Sequence, residues 1–120
     1  MLSIITRFYP IRLLAHMRNE VELNIHIENG SSEPYWIESD VILPVNVLSL
    51  AADKELLQGR IRGGIVFPNE TKMLRCKIYA NSAVYPDIYK IKIVAYAYDR
   101  DGVISQRKEA TADLRCERIK

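Results

Sequence analysis

An all-β protein, an antiparallel sandwich or barrel of seven or eight short strands, is the fold class this sequence predicts, and three observations predict it. Hydrophobic residues recur with period two along most of the chain, which sends alternate side chains to opposite faces of a strand. Clusters of Gly, Pro, Asn, Asp and Ser interrupt those runs at fairly regular spacing. Good helix formers follow one another only across Ala51 to Leu57, too few for a helix stable on its own. A length of 120 residues suits one core, and hence one domain over 1–120.

The first run divides at Pro10 into Ser3 to Tyr9 and Ile11 to Met17, as a first strand does when it changes sheets at an edge. From Glu20 to Glu28, Val21, Leu23, Ile25 and Ile27 share one face, with Glu22, Asn24 and His26 on the other. This half-buried strand stops at the turn formers Asn29-Gly30-Ser31-Ser32-Glu33-Pro34. Tyr35 to Leu43 sets Tyr35, Ile37, Val41 and Leu43 against Trp36, Glu38, Asp40 and Ile42, before Pro44 withdraws a backbone donor. Asn46 to Leu50 continues as a short strand, and Ala51 to Leu57 is expected to make one helical turn. Arg60 to Phe67 contains Gly63-Gly64, which predicts a bulge or a sheet edge.

Pro68-Asn69-Glu70 turns the chain into Thr71 to Ala80, where Leu74, Cys76 and Ile78 face one way. After a loop from Asn81 to Asp87, the run Ile88 to Tyr98 alternates Tyr89, Ile91, Ile93, Ala95 and Ala97 with Lys90, Lys92, Val94, Tyr96 and Tyr98. Asp99-Arg100-Asp101-Gly102 reads as a hairpin turn, since the rest of a calcium loop is absent. Val103 to Ile119 then sets Ala110, Ala112, Leu114 and Cys116 against Glu109, Thr111, Asp113, Arg115 and Glu117.

Three of these segments carry a resemblance. Val21 to Ser31, an alternating strand running into Asn-Gly-Ser, resembles the second strand of immunoglobulin-like modules of the cell-adhesion-related CARDB type. Phe67-Pro68-Asn69-Glu70-Thr71 resembles the Pro-Gly-Glu-Thr bend before their fifth strand, and Tyr85-Pro86-Asp87-Ile88-Tyr89-Lys90-Ile91 the Pro-Gly-x-Tyr start of their sixth. Asn69 and Asp87 stand where those modules prefer glycine. The resemblance implies an immunoglobulin-like Greek-key sandwich, in a stand-alone relative of the kind found as small proteins in archaea. It brings no catalytic residues, and implies a role in binding or spacing other proteins. An inward Tyr89 at the start of a sixth strand is expected to send its hydroxyl back to the preceding corner.

The chemistry of enzymes is sparse. Neither His16 nor His26 is placed beside a nucleophile, and no phosphate-binding glycine loop or metal-spaced cluster occurs. A non-enzyme without cofactor or metal is the expectation. Cys76 and Cys116 fall on apolar faces and read as core thiols rather than a bridge. With 17 basic and 15 acidic residues the net charge is +2, no field for nucleic acid or anionic lipid, and no apolar run nears the ~18 residues of a membrane span. The start MLSIITRFYPIRLL lacks a basic leader region and cleavage site, so a cytoplasmic protein is expected. Asn29-Gly30-Ser31 and Asn69-Glu70-Thr71 match the glycosylation triplet, which matters only in an exported chain.

If Tyr89, Ile91 and Ile93 fill the core, Val94, Tyr96 and Tyr98 project from the opposite face, as do Trp36 and Ile42 on their strand. In an immunoglobulin-like topology the third, sixth and seventh strands are neighbours, which gathers these residues on one surface rimmed by Lys90, Lys92, Arg107 and Arg115. Trp36, Ile42, Val94, Tyr96, Tyr98 and Lys92 are therefore the candidate partner-binding residues, for a protein partner or a second copy in a homodimer. The competing reading is that long charged side chains simply cover the aromatics. Two other functions stay open: an accessory subunit pairing through the strand edge Arg60 to Val66, and a small-ligand or enzymatic site in the end loops.

Overall fold

The computed structural model describes residues 1–119 and contains nine strands in two sheets. In chain order they are β1 (Leu2–Tyr9), β2 (Arg12–Leu14), β3 (Asn19–Asn29), β4 (Tyr35–Ile42), β5 (Leu48–Ser49), β6 (Gln58–Val66), β7 (Thr71–Ala80), β8 (Asp87–Tyr98) and β9 (Ile104–Glu117). One sheet has the order β1-β3-β7-β5 and the other β2-β9-β8-β4-β6. In the first, β1, β3 and β7 stand as the A, B and E strands of an immunoglobulin-like domain. In the second, β4, β8 and β9 stand as its C, F and G strands.

Pro10 separates β1 from β2, and the chain crosses there from the first sheet to the second, as its sequence position predicted. β2 lies parallel to β9, pairing Leu13 with Cys116, so the sandwich is antiparallel except along this three-residue edge. The expected seven or eight strands become nine because β2 and the two-residue β5 are separate short edge pieces. No helix among the described residues is long and apolar enough to cross a membrane.

The core lies between the sheets and is filled by the period-two positions. Val21, Leu23, Ile25 and Ile27 of β3 meet Ile37 and Val41 of β4 and Tyr89, Ile91 and Ile93 of β8, all 0–3% exposed. One expectation fails at Ala51 to Leu57, where no helical turn forms. The Ser49 hydroxyl takes over that segment. It accepts from the backbone N–H groups of Ala51 and Leu56 and donates to the carbonyl of Lys54, offering the loop bonds that a helix would otherwise have supplied.

Two polar side chains pin the ends of the sandwich. The Tyr89 hydroxyl donates to the carbonyl of Tyr85 at 3.1 Å and accepts from its N–H at 3.3 Å, the corner expected of it. Asn29, 0% exposed, donates from Nδ2 to the carbonyls of Glu33 (2.8 Å) and Val66 (2.9 Å), while its Oδ1 accepts from the backbone and hydroxyl of Ser31. Its amide nitrogen is thus committed within the fold.

Tyr89→Phe removes the corner bonds but keeps the packing, and should lower unfolding free energy by about 1 kcal/mol. Asn29→Ala takes one donor from each of two carbonyls and the acceptor from the Ser31 N–H, and should cost more, about 2–3 kcal/mol. Urea titration followed by circular dichroism checks both, with Asn29→Ala having the lower midpoint.

Candidate functional site

The outward face of the second sheet holds all six sequence-derived candidates, but spreads them along the strands. Trp36 and Tyr98 face each other directly in register at one end of the sheet. Ile42 and Lys92 are also paired, yet six positions along β4 from Trp36, roughly 20 Å away at strand rise. Val94 lies between Asp40 and Glu109 and is 2% exposed, so it forms the floor of the face. Tyr96 sits between Glu38 and Arg107.

Around Tyr96 the face is a charge network. Arg60 of β6 grips Asp40 of β4 with two bonds, Nε to Oδ1 at 2.7 Å and a terminal nitrogen to Oδ2 at 3.0 Å. The same guanidinium lies 5.0 Å above the Tyr96 ring and 3.5 Å from Glu38, which Arg62 also approaches at 3.5 Å. Across the sheet Glu109 pairs with Lys92 at 2.7 Å and Arg107 at 3.3 Å. Charged side chains therefore cover Tyr96, in the manner of the competing reading. They do not cover Trp36, which is 44% exposed.

The charges are also layered. The side chains of Glu38 and Asp40 are 14% and 10% exposed, those of Arg60 and Arg62 45% and 80%. Short carboxylates stay near the backbone, whereas long guanidinium stems carry their charge outward. The paired carboxylates neutralise this part of the face, but its outermost surface is cationic.

At the end of the sheet the register tells of two residues that alternation alone does not place. In the β4–β6 ladder Glu38 opposes Arg62 but Ile37 opposes Gly64, so Gly63 is an extra residue. Gly64 has φ +78°, a left-handed backbone that glycine adopts without strain, and a Cβ on Gly63 would come within 2.9 Å of Leu74. This bulge, expected at Gly63-Gly64, reverses the alternation: Val66 turns into the core and Ile65 turns out, opposite Trp36. In the β8–β9 ladder Ala97 opposes Gln106 but Tyr98 opposes Ile104, leaving Ser105 as the extra residue. Ile104 turns outward beside Tyr98.

The result is one row across four strands, Ile65–Trp36–Tyr98–Ile104, with Ile65 50% and Ile104 52% exposed. Phe67 and Val103, beyond the strand ends, are also exposed. Gly63-Gly64 was a readable signal for Ile65. Ser105 carried no comparable signal, so Ile104 was not among the candidates.

The other singled-out residues lie elsewhere. His26 stands on the outward face of β3, and His16 is an exposed turn residue whose N–H donates to the carbonyl of Val84. Cys76 and Cys116 are free thiols in opposite sheets, and burial pushes the Cys76 thiol up to about 11. Asp99 organises its hairpin by accepting from the N–H groups of Asp101 and Val103. Open depressions occur beside β5 (about 660 Å³) and between β1 and β9 (about 690 Å³). Among the described residues no group of three His, Cys, Asp or Glu side chains could hold a metal.

Hydrogen bonds from Arg60 hold the Asp40 carboxyl below the usual aspartate range. Its folded-state pKa is then lower than the unfolded value of about 3.9, so the pair stabilises the fold above that pH and stops doing so as pH falls through the lower folded value. Asp40→Asn should lose about 1 kcal/mol at neutral pH, a modest figure because Arg60 is solvated. Thermal unfolding from pH 7 down to pH 2 should show the gap to wild type closing below about pH 4.

No protein-family model matches this chain, and no curated protein matches it. Solved structures do share its fold. A protein assigned as ApaA from Bordetella pertussis is 16% identical, with 95% of this chain and 89% of that chain covered at a TM-score of 0.50. A non-cellulosomal cohesin from the hyperthermophilic archaeon Archaeoglobus fulgidus is 15% identical, with 99% of this chain and 91% of that chain covered, also at 0.50. Likeness to the cohesin places this chain among the all-β, immunoglobulin-like sandwiches.

Proposed function

We propose that the chain acts as a single-domain, non-catalytic protein–protein interaction module, a cytoplasmic stand-alone relative of the CARDB-type domains, which self-associates through the Ile65–Trp36–Tyr98–Ile104 row. The observation that carries this reading is the row itself: aliphatic and aromatic side chains from four strands, aligned in register, with Ile65, Trp36 and Ile104 open to water and Tyr98 partly so. The cohesin among the structures of like fold supports reading the scaffold as an interaction module.

Half-exposed side chains of this size offer about 100 Å² each, so Ile65, Trp36, Ile104, Phe67 and Val103 together make on the order of 500 Å². With a polar rim, that approaches the ~800 Å² per partner of a standard interface. A second copy is the occupant that the charge balance favours. The sheet face beside the row pairs its own charges, so two copies meet without a large like-charge penalty.

Pairing through the edge of β6 has less support. The bulge at Gly63 and the left-handed Gly64 interrupt that edge after Arg62, which is how natural sheets blunt an edge. A ligand or enzymatic role in the end loops would draw on the depression beside β5, an open surface feature.

Sedimentation equilibrium from micromolar to millimolar chain should show a dimer for wild type and a monomer for Ile104→Arg with unchanged circular dichroism. Trp36 is the single tryptophan, so its emission should shift to the blue as wild type associates. A wild-type chain that stays monomeric over the whole range, with constant emission, overturns self-association.

A further inference from the structure

We infer that the two copies cross head to tail over the row, so that the acidic loop end of each lies on the arginines of the other. This inference rests on self-association through the row, and adds its orientation and the residues that set it.

The charges on the two sides of the row differ in sign. On the loop side, three connections continue directly from row residues or their neighbours: the turn before Tyr35, the corner after Phe67, and the hairpin between Tyr98 and Ile104. They carry Glu33, Glu70, Asp99 and Asp101 against the single Arg100. Asp101 is exposed and has no ion-pair partner among the described residues. On the sheet side the next position along the strands holds Arg62, Glu38, Tyr96 and Arg107. There Glu38 lies low beneath Arg62, which is 80% exposed, and Arg107, 50% exposed, stands nearest the row with its partner Glu109 one outward position farther along β9.

A two-fold dimer uses the same patch on both copies. Two axes stack the row on itself. An axis parallel to the strands lays loop end on loop end, bringing the acidic groups of both copies together. An axis along the row reverses the strands of one copy relative to the other. It keeps Trp36 over Trp36 of the second copy and places the Glu70 corner over the other copy's Arg62, and the hairpin that holds Asp99 and Asp101 over its Arg107. Like charges facing each other penalise the first arrangement, and opposite charges favour the second. The row supplies the attraction and the flanking charges select the orientation.

Charge reversal tests this by sedimentation equilibrium, with Arg107→Glu, Asp101→Arg and the double variant beside wild type, since Arg107 and Asp101 lie on the same side of the sheet and face each other across the axis. Both positions are exposed, and circular dichroism confirms that each variant folds. Each single reversal should weaken the dimer roughly five- to tenfold, because two symmetry-related contacts are lost at once. The double variant restores opposite charges across the axis and should return to within about twofold of wild type. An additive loss in the double variant, or a tighter dimer from Asp101→Arg alone, overturns the crossed orientation. Those outcomes leave the row intact as the contact, whereas a dimer unaffected by Ile104→Arg removes the row and the orientation together.

Discussion

A single buried amide holds together the end of the sandwich on which the exposed row depends. Asn29 closes β3 and reaches across with its side chain to the carbonyl of Val66, the last residue of β6, and to the turn before β4. Its backbone joins the same knot, donating to Glu70 and accepting from Asn69. These bonds link the turn before β4 to the corner after β6, two connections that have no ladder of their own. Every donor and acceptor of the amide is used, so the knot stabilises by satisfying carbonyls that burial would otherwise orphan. Because Val66 is held there, the bulge at Gly63 has a fixed downstream end, and Ile65 stays outward beside Trp36.

The same sheet face is treated differently a few residues away. Around Tyr96 a guanidinium lies over the ring and grips a carboxylate beneath it, giving a layered patch of carboxylate, aromatic ring and cation. Such a patch already satisfies its own groups, and a partner would have to displace Arg60 to reach the ring. The row at the loop end has no cation lying over its indole, and its neighbours Ile65 and Ile104 cannot supply one. An aromatic on an outward strand face is thus not itself a contact site; what stands at the cross-strand positions decides whether it is covered or left open.

Much of this was legible in the amino-acid order. Alternation along Val21 to Ile27 and Tyr89 to Ile93 assigned the core, Pro10 marked the change of sheets, and the spacing before Tyr89 indicated its corner. Alternation is a local rule, however, and it breaks wherever one strand has a residue that its neighbour lacks. Glycines announced the break in β6. In β9 the extra residue is Ser105, whose backbone is compatible with a regular strand, and only pairing with β8 shows the shift. Burial at Val94 was hidden for a related reason, since it depends on the long side chains of strands adjacent in space. Ala51 to Leu57 misled because helix propensity over so few residues is weaker than the bonds that one serine hydroxyl provides.

The two bulges differ in what the core gains from them. In β6 the shift brings Val66 inward to 1% exposure, so packing alone accounts for it, and the outward Ile65 is its by-product. In β9 the shift brings no apolar side chain inward: Ile104 and Val103 are 52% and 59% exposed, and the skipped Ser105, itself exposed, makes only a 3.4 Å bond to the Tyr35 hydroxyl. A regular ladder would have set Ser105, a small polar residue, beside Tyr98 on the outer face and kept Ile104 off it. The observed register places the aliphatic side chain in water, at a hydrophobic cost that the core does not repay. Contact with another apolar surface would recover that cost, which is why the irregularity in β9 points to the row as an interface more directly than the aromatic residues do.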